Sequence, residues 1–203
     1  EISQEIAKLS QEPEILASAA AALLQADSIQ PARPIIDNLD LSRVPNEAAY
    51  NLLMRYGTKL LEVNPALGLE KMEDAYLEYP NSRTLENDQI LLKTYLAVDR
   101  SAAARRMIME LKANVDAHPE SATHLVRGAI AWGDYLYDRG DFRAATNAFQ
   151  MAIDAAKNLT SRDTQKNMGT LWAKFQRANA LLELSEFDES LRLYDELAQT
   201  DVP

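Results

Sequence analysis

The sequence predicts an all-α protein, a right-handed solenoid of about five antiparallel helix pairs. Apolar residues recur every three or four positions, as they do along one face of a helix. Alanine and leucine dominate the apolar residues, whereas the 203 residues include only 6 glycines and 8 prolines, too few for a chain built from many hairpins. The predicted pairs can also be overlaid on one another, as the units of a repeat protein can.

Proline marks the breaks between the predicted helices, because it is tolerated at a helix start but disrupts a helix interior. The prolines stand at positions 13, 31, 34, 45, 65, 80, 119 and 203. Together with the apolar periodicity they predict five helix pairs, at residues 13–40, 46–79, 83–118, 121–158 and 162–199.

The ends of these pairs carry further signals. Asn46, Ser82 and Ser161 stand where helix N-caps are expected. Residues 1–11 have an apolar face and would form a capping helix. We expect residues 1–203 to make one domain and, because the chain starts without a methionine or a leader, to be a fragment of a longer protein.

A column of small residues sets the register of the repeats. Each second helix opens with a small residue, and these residues lie at intervals of 36, 36, 41 and 45 positions: Ala32, Gly68, Ala104, Ala145 and Ser190. Four positions later stands a bulky residue: Ile36, Met72, Ile108, Phe149 and Tyr194. A spacing of four keeps both on one helix face, where the bulky side chain can fill the gap between its own pair and the next.

The fourth predicted pair has the most specific pattern. Small residues lie at Gly133 and Ala145, and Gly140, which suits a tight turn, is followed by Phe142 two positions later. In spacing this unit resembles the tetratricopeptide repeat, a helix pair of about 34 residues. The second and last pairs match this spacing more loosely, and the first and third pairs share only the apolar character of the residues.

The longer intervals in the second half of the chain, 41 and 45 residues, imply helices that are longer by a turn or two than in that family's standard unit. A four-helix bundle and a HEAT-like solenoid stay open as structural alternatives.

Charge and composition narrow the classes of function. The chain has 21 Lys and Arg against 31 Asp and Glu, a net charge of −10, which argues against nucleic acid and anionic membrane surfaces as partners. Its longest nearly apolar run, residues 15–24, is about half the length that crosses a bilayer, so direct membrane insertion is not expected. The absence of cysteine excludes disulfides, thiolate metal sites and cysteine nucleophiles.

No metal, cofactor or catalytic site is predicted. His118 and His124 are the two histidines, whereas a zinc site needs about four ligands. The glycines are too scattered for a phosphate-binding loop. Carboxylate pairs such as Asp138 with Asp141 are interpreted as solvated charges, because a catalytic pair needs a concave site that separates the two pKa values. We therefore expect that the protein is not an enzyme.

The first helix of each pair should line the concave inner wall of the solenoid. Aligned by their small residues, these helices present a mixture of aromatic, amide and charged side chains there: Asn51, Met54 and Arg55; Gln89 and Lys93; Arg127, Ile130, Asp134 and Tyr137; Trp172, Phe175, Gln176 and Asn179. We predict that this set binds a protein or peptide partner.

Two large aromatic residues, Trp172 and Phe175, lie three positions apart toward the C-terminal end of this wall. Large aromatics on a binding face are typical anchors of an interaction. The alternative is that the two rings pack against a further repeat or against the pair at residues 121–158.

We therefore predict a non-catalytic protein–protein interaction scaffold that holds a peptide, a helix or a folded partner on its concave face. The alternative is a structural or regulatory helical-repeat arm of a larger multidomain protein, such as a bacterial export or envelope apparatus or a sensor-regulator. Self-association through the terminal repeats stays open. The absence of cysteine from an alanine-rich chain favours the bacterial periplasm or envelope over the cytoplasm.

Overall fold

The computed structural model describes residues 12–118, 121–159 and 164–200. Within these ranges the chain forms ten α-helices, two short 3-10 turns (Leu41–Arg43 and Pro80–Ser82) and no strand. The helices are α1 (Pro13–Gln25), α2 (Ile29–Asp37), α3 (Asn46–Leu60), α4 (Pro65–Glu78), α5 (Leu85–Ala97), α6 (Ser101–Ala117), α7 (Ala122–Asp138), α8 (Phe142–Ala156), α9 (Thr164–Glu183) and α10 (Phe187–Ala198). The prediction of an all-α fold is confirmed for these residues, and none of their helices combines the length and the apolar character needed to span a bilayer.

The ten helices follow one another as five pairs, from α1 with α2 to α9 with α10, as the sequence predicts. The chain divides into two compact units, Glu1–Asn87 and Asp88–Pro203. One domain over residues 1–203 stays a prediction, and the capping helix expected at residues 1–11 lies outside the described residues.

Each unit has its own apolar interior. In the first unit, Leu24 of α1, Ala32 of α2 and Leu52 of α3 belong to one buried cluster. In the second unit, α8 packs against both α7 and α9, and α10 packs against α9. The helices of the second unit are therefore stacked on their neighbours in the sequence, which is the contact pattern of a repeat protein.

Four of the five pairs turn in the same way. Two positions before the second helix, the backbone has a positive φ: Asp27 (55°), Asp99 (62°), Gly140 (76°) and Ser185 (60°). The N–H of the next residue donates to the carbonyl oxygen five positions earlier, at 2.8–3.0 Å: Ser28 to Leu23, Arg100 to Tyr95, Asp141 to Leu136 and Glu186 to Leu181. This is the Schellman arrangement, which satisfies a carbonyl group at the end of the first helix. Its recurrence shows that these pairs are versions of one structural unit.

The second pair turns differently. The N–H of Asn64 donates to the carbonyl oxygen of Leu60 at 2.7 Å, and its side chain caps α4 by accepting from the N–H of Leu67 at 3.2 Å. A Cβ at Gly57 would lie 2.6 Å from the carbonyl oxygen of Gly68, and a Cβ at Gly68 would lie 2.7 Å from that of Gly57. Only glycine fits at this crossing of α3 and α4, because any side chain there would overlap the facing backbone.

The column of small residues lies in the interior of all five pairs, as the predicted register requires. Ala32, Ala104, Ala145 and Ser190 are fully buried, and Gly68 is buried as well. The bulky residues four positions later are also buried, apart from the half-buried Tyr194 in the last pair: Ile36, Met72, Ile108 and Phe149.

Small residues let the helices of a pair approach closely. A Cβ at Gly133 would lie 2.5 Å from Cε1 of Phe149, so the ring of Phe149 occupies the space that a side chain on α7 would need. In the last pair, the hydroxyl of Ser190 donates to the carbonyl oxygen of Ala178 at 2.9 Å. The fourth pair is thus closed by an aromatic ring and the last pair by a hydrogen bond.

The predicted helix N-caps are wrong where the structure describes them. Asn46 is already the first helical residue of α3, because the preceding Pro45, with φ −52° and ψ 135°, holds the capping position. Ser82 ends a 3-10 turn, and the cap before α5 is Thr84, whose hydroxyl accepts from the N–H of Asn87 at 3.2 Å. Ser161 lies outside the described residues.

Candidate interaction surface on α7 and α9

The first helices of the fourth and fifth pairs lie side by side. A Cβ at Gly169 of α9 would lie 2.9 Å from Cγ1 of Val126 and 3.8 Å from Cδ1 of Ile130, both on α7. The glycine therefore permits a close approach of the two helices near their N-terminal ends. We call the surface that they share, carrying Ile130, Asp134, Tyr137, Trp172, Phe175, Gln176 and Asn179, the α7–α9 face.

Trp172 and Phe175 are the largest apolar side chains exposed on this face, with 48% and 42% of their surface accessible to solvent. Their ring centroids lie 6.1 Å apart with an interplanar angle of 40°. Phe175 also meets Tyr194 of α10 edge to face, at 6.2 Å and 70°. The three rings form a continuous aromatic surface from α9 to α10, in geometries that favour aromatic pairing.

A chain of hydrogen bonds runs beside the aromatic rings. The hydroxyl of Tyr194 donates to Oδ1 of Asn179 at 2.5 Å, Nδ2 of Asn179 donates to Oε1 of Gln176 at 3.0 Å, and Nε2 of Gln176 donates to Oδ1 of Asp134 at 3.1 Å. An ionised carboxylate can only accept, so Asp134 fixes the direction of the whole chain. The chain joins α10, α9 and α7 and holds the amide side chains in one orientation.

Asp134 is the carboxylate at the centre of the face. Burial raises its pKa above the ordinary value of 3.8, and the charge of Asp138 adds to this, while hydrogen bonds from Gln176 and from the indole N–H of Trp172 oppose it. The indole of Trp172 is thus held by its N–H while its ring stays exposed. Such fixing reduces the entropy lost when a partner contacts the ring.

Tyr137 and its surroundings extend the face along α7. Its ring packs edge to face on Phe142 at 5.2 Å and 69°. Burial raises the pKa of the Tyr137 hydroxyl, and the charges of Glu183 and Asp138 raise it further. Carboxylates therefore act on two groups of α7, which indicates a negative potential at this end of the face.

The remaining predicted residues of the second unit lie on α5 and α7. Nε2 of Gln89 donates to the carbonyl oxygen of His124 at 3.1 Å, which links α5 to α7. Lys93 and Arg127 are exposed, and Ile130 is half-buried.

The predicted residues of the first unit lie on α3 and include one correction. Asn51 and Arg55 are exposed, and Nη1 of Arg55 donates to the carbonyl oxygen of Ala21 at 3.5 Å. Met54 is 3% exposed and offers no surface to a partner. It lies one turn from Tyr50 on the same side of α3, and the buried residues of this helix surround most of its circumference.

Three residues that act on the face were not among the predicted binding residues: Asp138, Glu183 and Tyr194. Tyr194 stands in the bulky apolar column, yet it is the one member of that column with a hydroxyl group. A buried or half-buried tyrosine hydroxyl usually finds a hydrogen-bond partner, and this was the signal available in the sequence. Glu183 lies four positions after Asn179 on α9, a spacing that keeps both on one helix side.

Among the residues that the structure describes, no group of three or more histidine, aspartate or glutamate side chains could hold a metal ion.

Comparison with known proteins gives structural likeness without sequence likeness. No family model matches the chain, and no curated protein matches it. A solved structure of MamA from strain AMB-1 aligns with a TM-score of 0.59 at 14% identity, covering 92% of this chain and 90% of that one. MamA from Desulfovibrio magneticus RS-1, from its residue 41 to its end, aligns with a TM-score of 0.58 at 12% identity, covering 94% and 95%.

A putative kinesin light chain of Podosopora anserina, described as having nearly identical TPR-like repeats, aligns with a TM-score of 0.55 at 14% identity, covering 93% of this chain and 96% of that one. Each alignment spans nearly the whole of both chains. The protein therefore has the tetratricopeptide-like helical-repeat fold that the spacing of its fourth pair predicts.

Proposed function

We propose that the protein is a non-catalytic protein–protein interaction scaffold, which binds a partner protein or peptide on the concave face formed by the first helices of its pairs. The observation that supports this most is the exposed aromatic pair Trp172 and Phe175 on the α7–α9 face. Exposed large aromatics cost free energy in water unless a partner covers them.

The pair also has the properties of an interaction anchor. Binding hot spots are enriched in tryptophan and tyrosine, which supply a large contact area with few rotatable bonds. Trp172 is held by its hydrogen bond to Asp134, and Phe175 is held between Trp172 and Tyr194. A partner would meet rings that are already in position, so little ordering entropy opposes binding.

The other residues proposed to bind lie on the first helices of the pairs within each unit. The exposed or half-buried residues proposed to take part, besides the aromatic pair, are Asn51, Arg55, Gln89, Lys93, Arg127, Ile130, Asp134, Tyr137, Gln176 and Asn179. Met54 is left out of the proposal because it is buried.

A second candidate function, a helical-repeat arm of a larger protein, is favoured by α10. Phe187 and Leu191 of this helix are 57% and 58% exposed, whereas Thr146, the counterpart of Leu191 in the fourth pair, is buried. In the fourth pair, α8 packs against α9, the helix that follows it. The exposed side of α10 would then receive the first helix of a further repeat.

One pair of double variants separates the two candidates. Partners are captured on the wild-type chain, and the affinity of the main partner is then measured for Trp172→Ala with Phe175→Ala and for the matched apolar change Phe187→Ala with Leu191→Ala. The scaffold proposal expects the first variant to bind at least about tenfold more weakly, since truncating one anchoring aromatic costs about 2 kcal/mol. The second variant should bind as the wild type does.

The melting temperature of both variants is measured alongside. A folded Trp172→Ala, Phe175→Ala variant with unchanged affinity would reject the proposed binding face. A large thermal loss in the same variant would assign the two rings to the interior, because a buried aromatic cut to alanine costs about 3–5 kcal/mol. Loss of partner binding in the Phe187→Ala, Leu191→Ala variant alone would favour the arm.

A further inference from the structure

We propose that the α7–α9 face selects a basic segment of its partner, with an arginine or lysine side chain stacked on the ring of Trp172 and paired with Asp134. This inference rests on the proposed function and names the chemistry of the partner at the same site.

The protein already contains one such arrangement of a ring, a carboxylate and a cation, and there all three groups belong to this chain. The hydroxyl of Tyr135 hydrogen-bonds Asp99, the guanidinium of Arg139 lies 3.8 Å from the centroid of the Tyr135 ring, and Nη2 of Arg139 donates to Oδ1 of Asp99 at 2.8 Å. An aromatic ring, a carboxylate bonded to its polar edge and a cation over its face thus form one unit. Cation–π attraction and the charge-assisted hydrogen bond act on the same guanidinium.

Trp172 and Asp134 repeat the first two parts of this unit. Asp134 accepts from Gln176 of α9 at 3.1 Å, and Trp172 lies one turn before Gln176 on the same side of that helix. The indole N–H of Trp172 lowers the pKa of Asp134, as the hydroxyl of Tyr135 lowers that of Asp99. Trp172 is also 48% exposed, so a side chain from a partner can reach its ring. Tryptophan is the best of the aromatic side chains for a cation–π contact, and arginine is the cation that stacks and pairs at once. The third part, the cation, would come from the partner.

The charges around the face favour a basic partner. The charge of Asp138 raises the pKa of Asp134, and the charges of Glu183 and Asp138 raise the pKa of Tyr137, as neighbouring negative charge does. Arg127 is the basic residue of α7 on this side, and it lies seven positions before Asp134, about 10 Å along the helix axis. The whole chain carries a net charge of −10, which adds long-range attraction for a basic segment.

Two basic residues of α9, Lys174 and Arg177, form ion pairs with α10. Nζ of Lys174 pairs with Glu196 at 2.7 Å, and Nη2 of Arg177 pairs with Glu189 at 2.5 Å. Both acidic partners lie on α10. These cations therefore serve the packing of α9 on α10.

The test uses three fluorescein-labelled peptides of equal length, blocked at both ends, in which alanine alternates with arginine, glutamine or glutamate. Binding to the full chain is measured by fluorescence anisotropy at physiological salt, with the wild type, Asp134→Asn and the matched control Asp195→Asn. Asp195 is exposed on α10, so its change removes the same charge away from the face. A loss that follows net charge alone would appear equally in both variants.

We expect the arginine peptide to bind the wild type at least about tenfold more tightly than the glutamine peptide, and the glutamate peptide to bind most weakly. Asp134→Asn should weaken binding of the arginine peptide about tenfold, whereas Asp195→Asn should change its affinity by less than about twofold. If the ring takes part in binding, Trp172→Ala also lowers the affinity for the arginine peptide.

Three results would overturn the inference. One is a glutamine or glutamate peptide that binds as tightly as the arginine peptide, and another is an equal loss in Asp134→Asn and Asp195→Asn. The third is self-association of the chain that Asp134→Asn abolishes, which would make a second copy the occupant. None of these results decides the scaffold proposal. That proposal is tested separately, by the affinity of the captured partner for Trp172→Ala with Phe175→Ala.

Discussion

Gln176 of α9 donates its side-chain amide to the carboxylate of Asp134 on α7, across 3.1 Å. This bond connects the first helices of two successive pairs, and it ends a chain that starts at the hydroxyl of Tyr194. Burial raises the pKa of Asp134 despite this hydrogen bond, so the ionised carboxylate lowers the stability of the fold. We infer that the carboxylate is kept for binding.

The first prediction concerns the stability of Asp134→Asn. The folded state raises the pKa of Asp134, so ionisation costs stability, and this cost appears as the pH rises from about 4 through the folded pKa. Asparagine has no such cost. We expect Asp134→Asn to melt at least as high as the wild type at pH 7, with this advantage shrinking as the pH falls below about 4.

Thermal denaturation followed by circular dichroism over this pH range checks the prediction. Asp195→Asn serves as the control, since no comparable advantage is expected there. A variant Asp134→Asn that melts well below the wild type at pH 7 would mean that the ionised carboxylate stabilises the fold, contrary to our account.

The second prediction concerns Ala145, which is fully buried on α8 one turn before the buried Phe149. Ala145→Leu adds three carbon atoms to a filled interior, and such overpacking costs about 1–3 kcal/mol. For a chain of this length that corresponds to a fall of several degrees in melting temperature. The control is Ala113→Leu, at an exposed position of α6, which should change the melting temperature little. Equal melting curves for the two variants would show that the repeat register is wrong.

The third prediction concerns Asp99, in the turn between α5 and α6. Hydrogen bonds from Tyr135 and Arg139 hold its pKa below the ordinary value of 3.8. The stability that the ionised form contributes is therefore present above the unfolded pKa and is lost as the pH falls through the folded one. Asp99→Asn keeps a residue that tolerates the positive φ of 62° but removes the charge.

We expect Asp99→Asn to melt below the wild type at pH 7 and to converge with it at strongly acidic pH. Arg139→Gln should behave in the same way, because it removes the other charge of the pair. A difference between wild type and Asp99→Asn that stays constant from pH 7 to acid would show that the loss comes from the turn rather than from the charge.

The repeat register was predictable because it depends on residue size at fixed spacing. Ala104, Ala145 and Ser190 are small for the same reason, namely that two helices cross there, and all three are buried. The exposure of Trp172 and Phe175 followed from the same register.

Other features could not be predicted from the sequence pattern, because they depend on which residues are neighbours in space. Met54 falls on the predicted wall by register, yet α3 is covered on most sides. The cap of α5 is Thr84 rather than Ser82, because a 3-10 turn at residues 80–82 delays the helix. The chain from Tyr194 to Asp134 needs the relative position of three helices, which residue spacing within one helix does not give.

The central claim is that Trp172 is exposed in the free protein and covered by the partner. The chain has 2 tryptophans, and Trp132→Phe leaves Trp172 as the single fluorophore, with phenylalanine in place of the ring that stacks on Tyr135. Quenching of this fluorescence by acrylamide is measured with and without the captured partner. The account predicts ready quenching in the free protein and quenching reduced several-fold in the complex; equal quenching in both states, or a Trp172 already shielded without the partner, would contradict it.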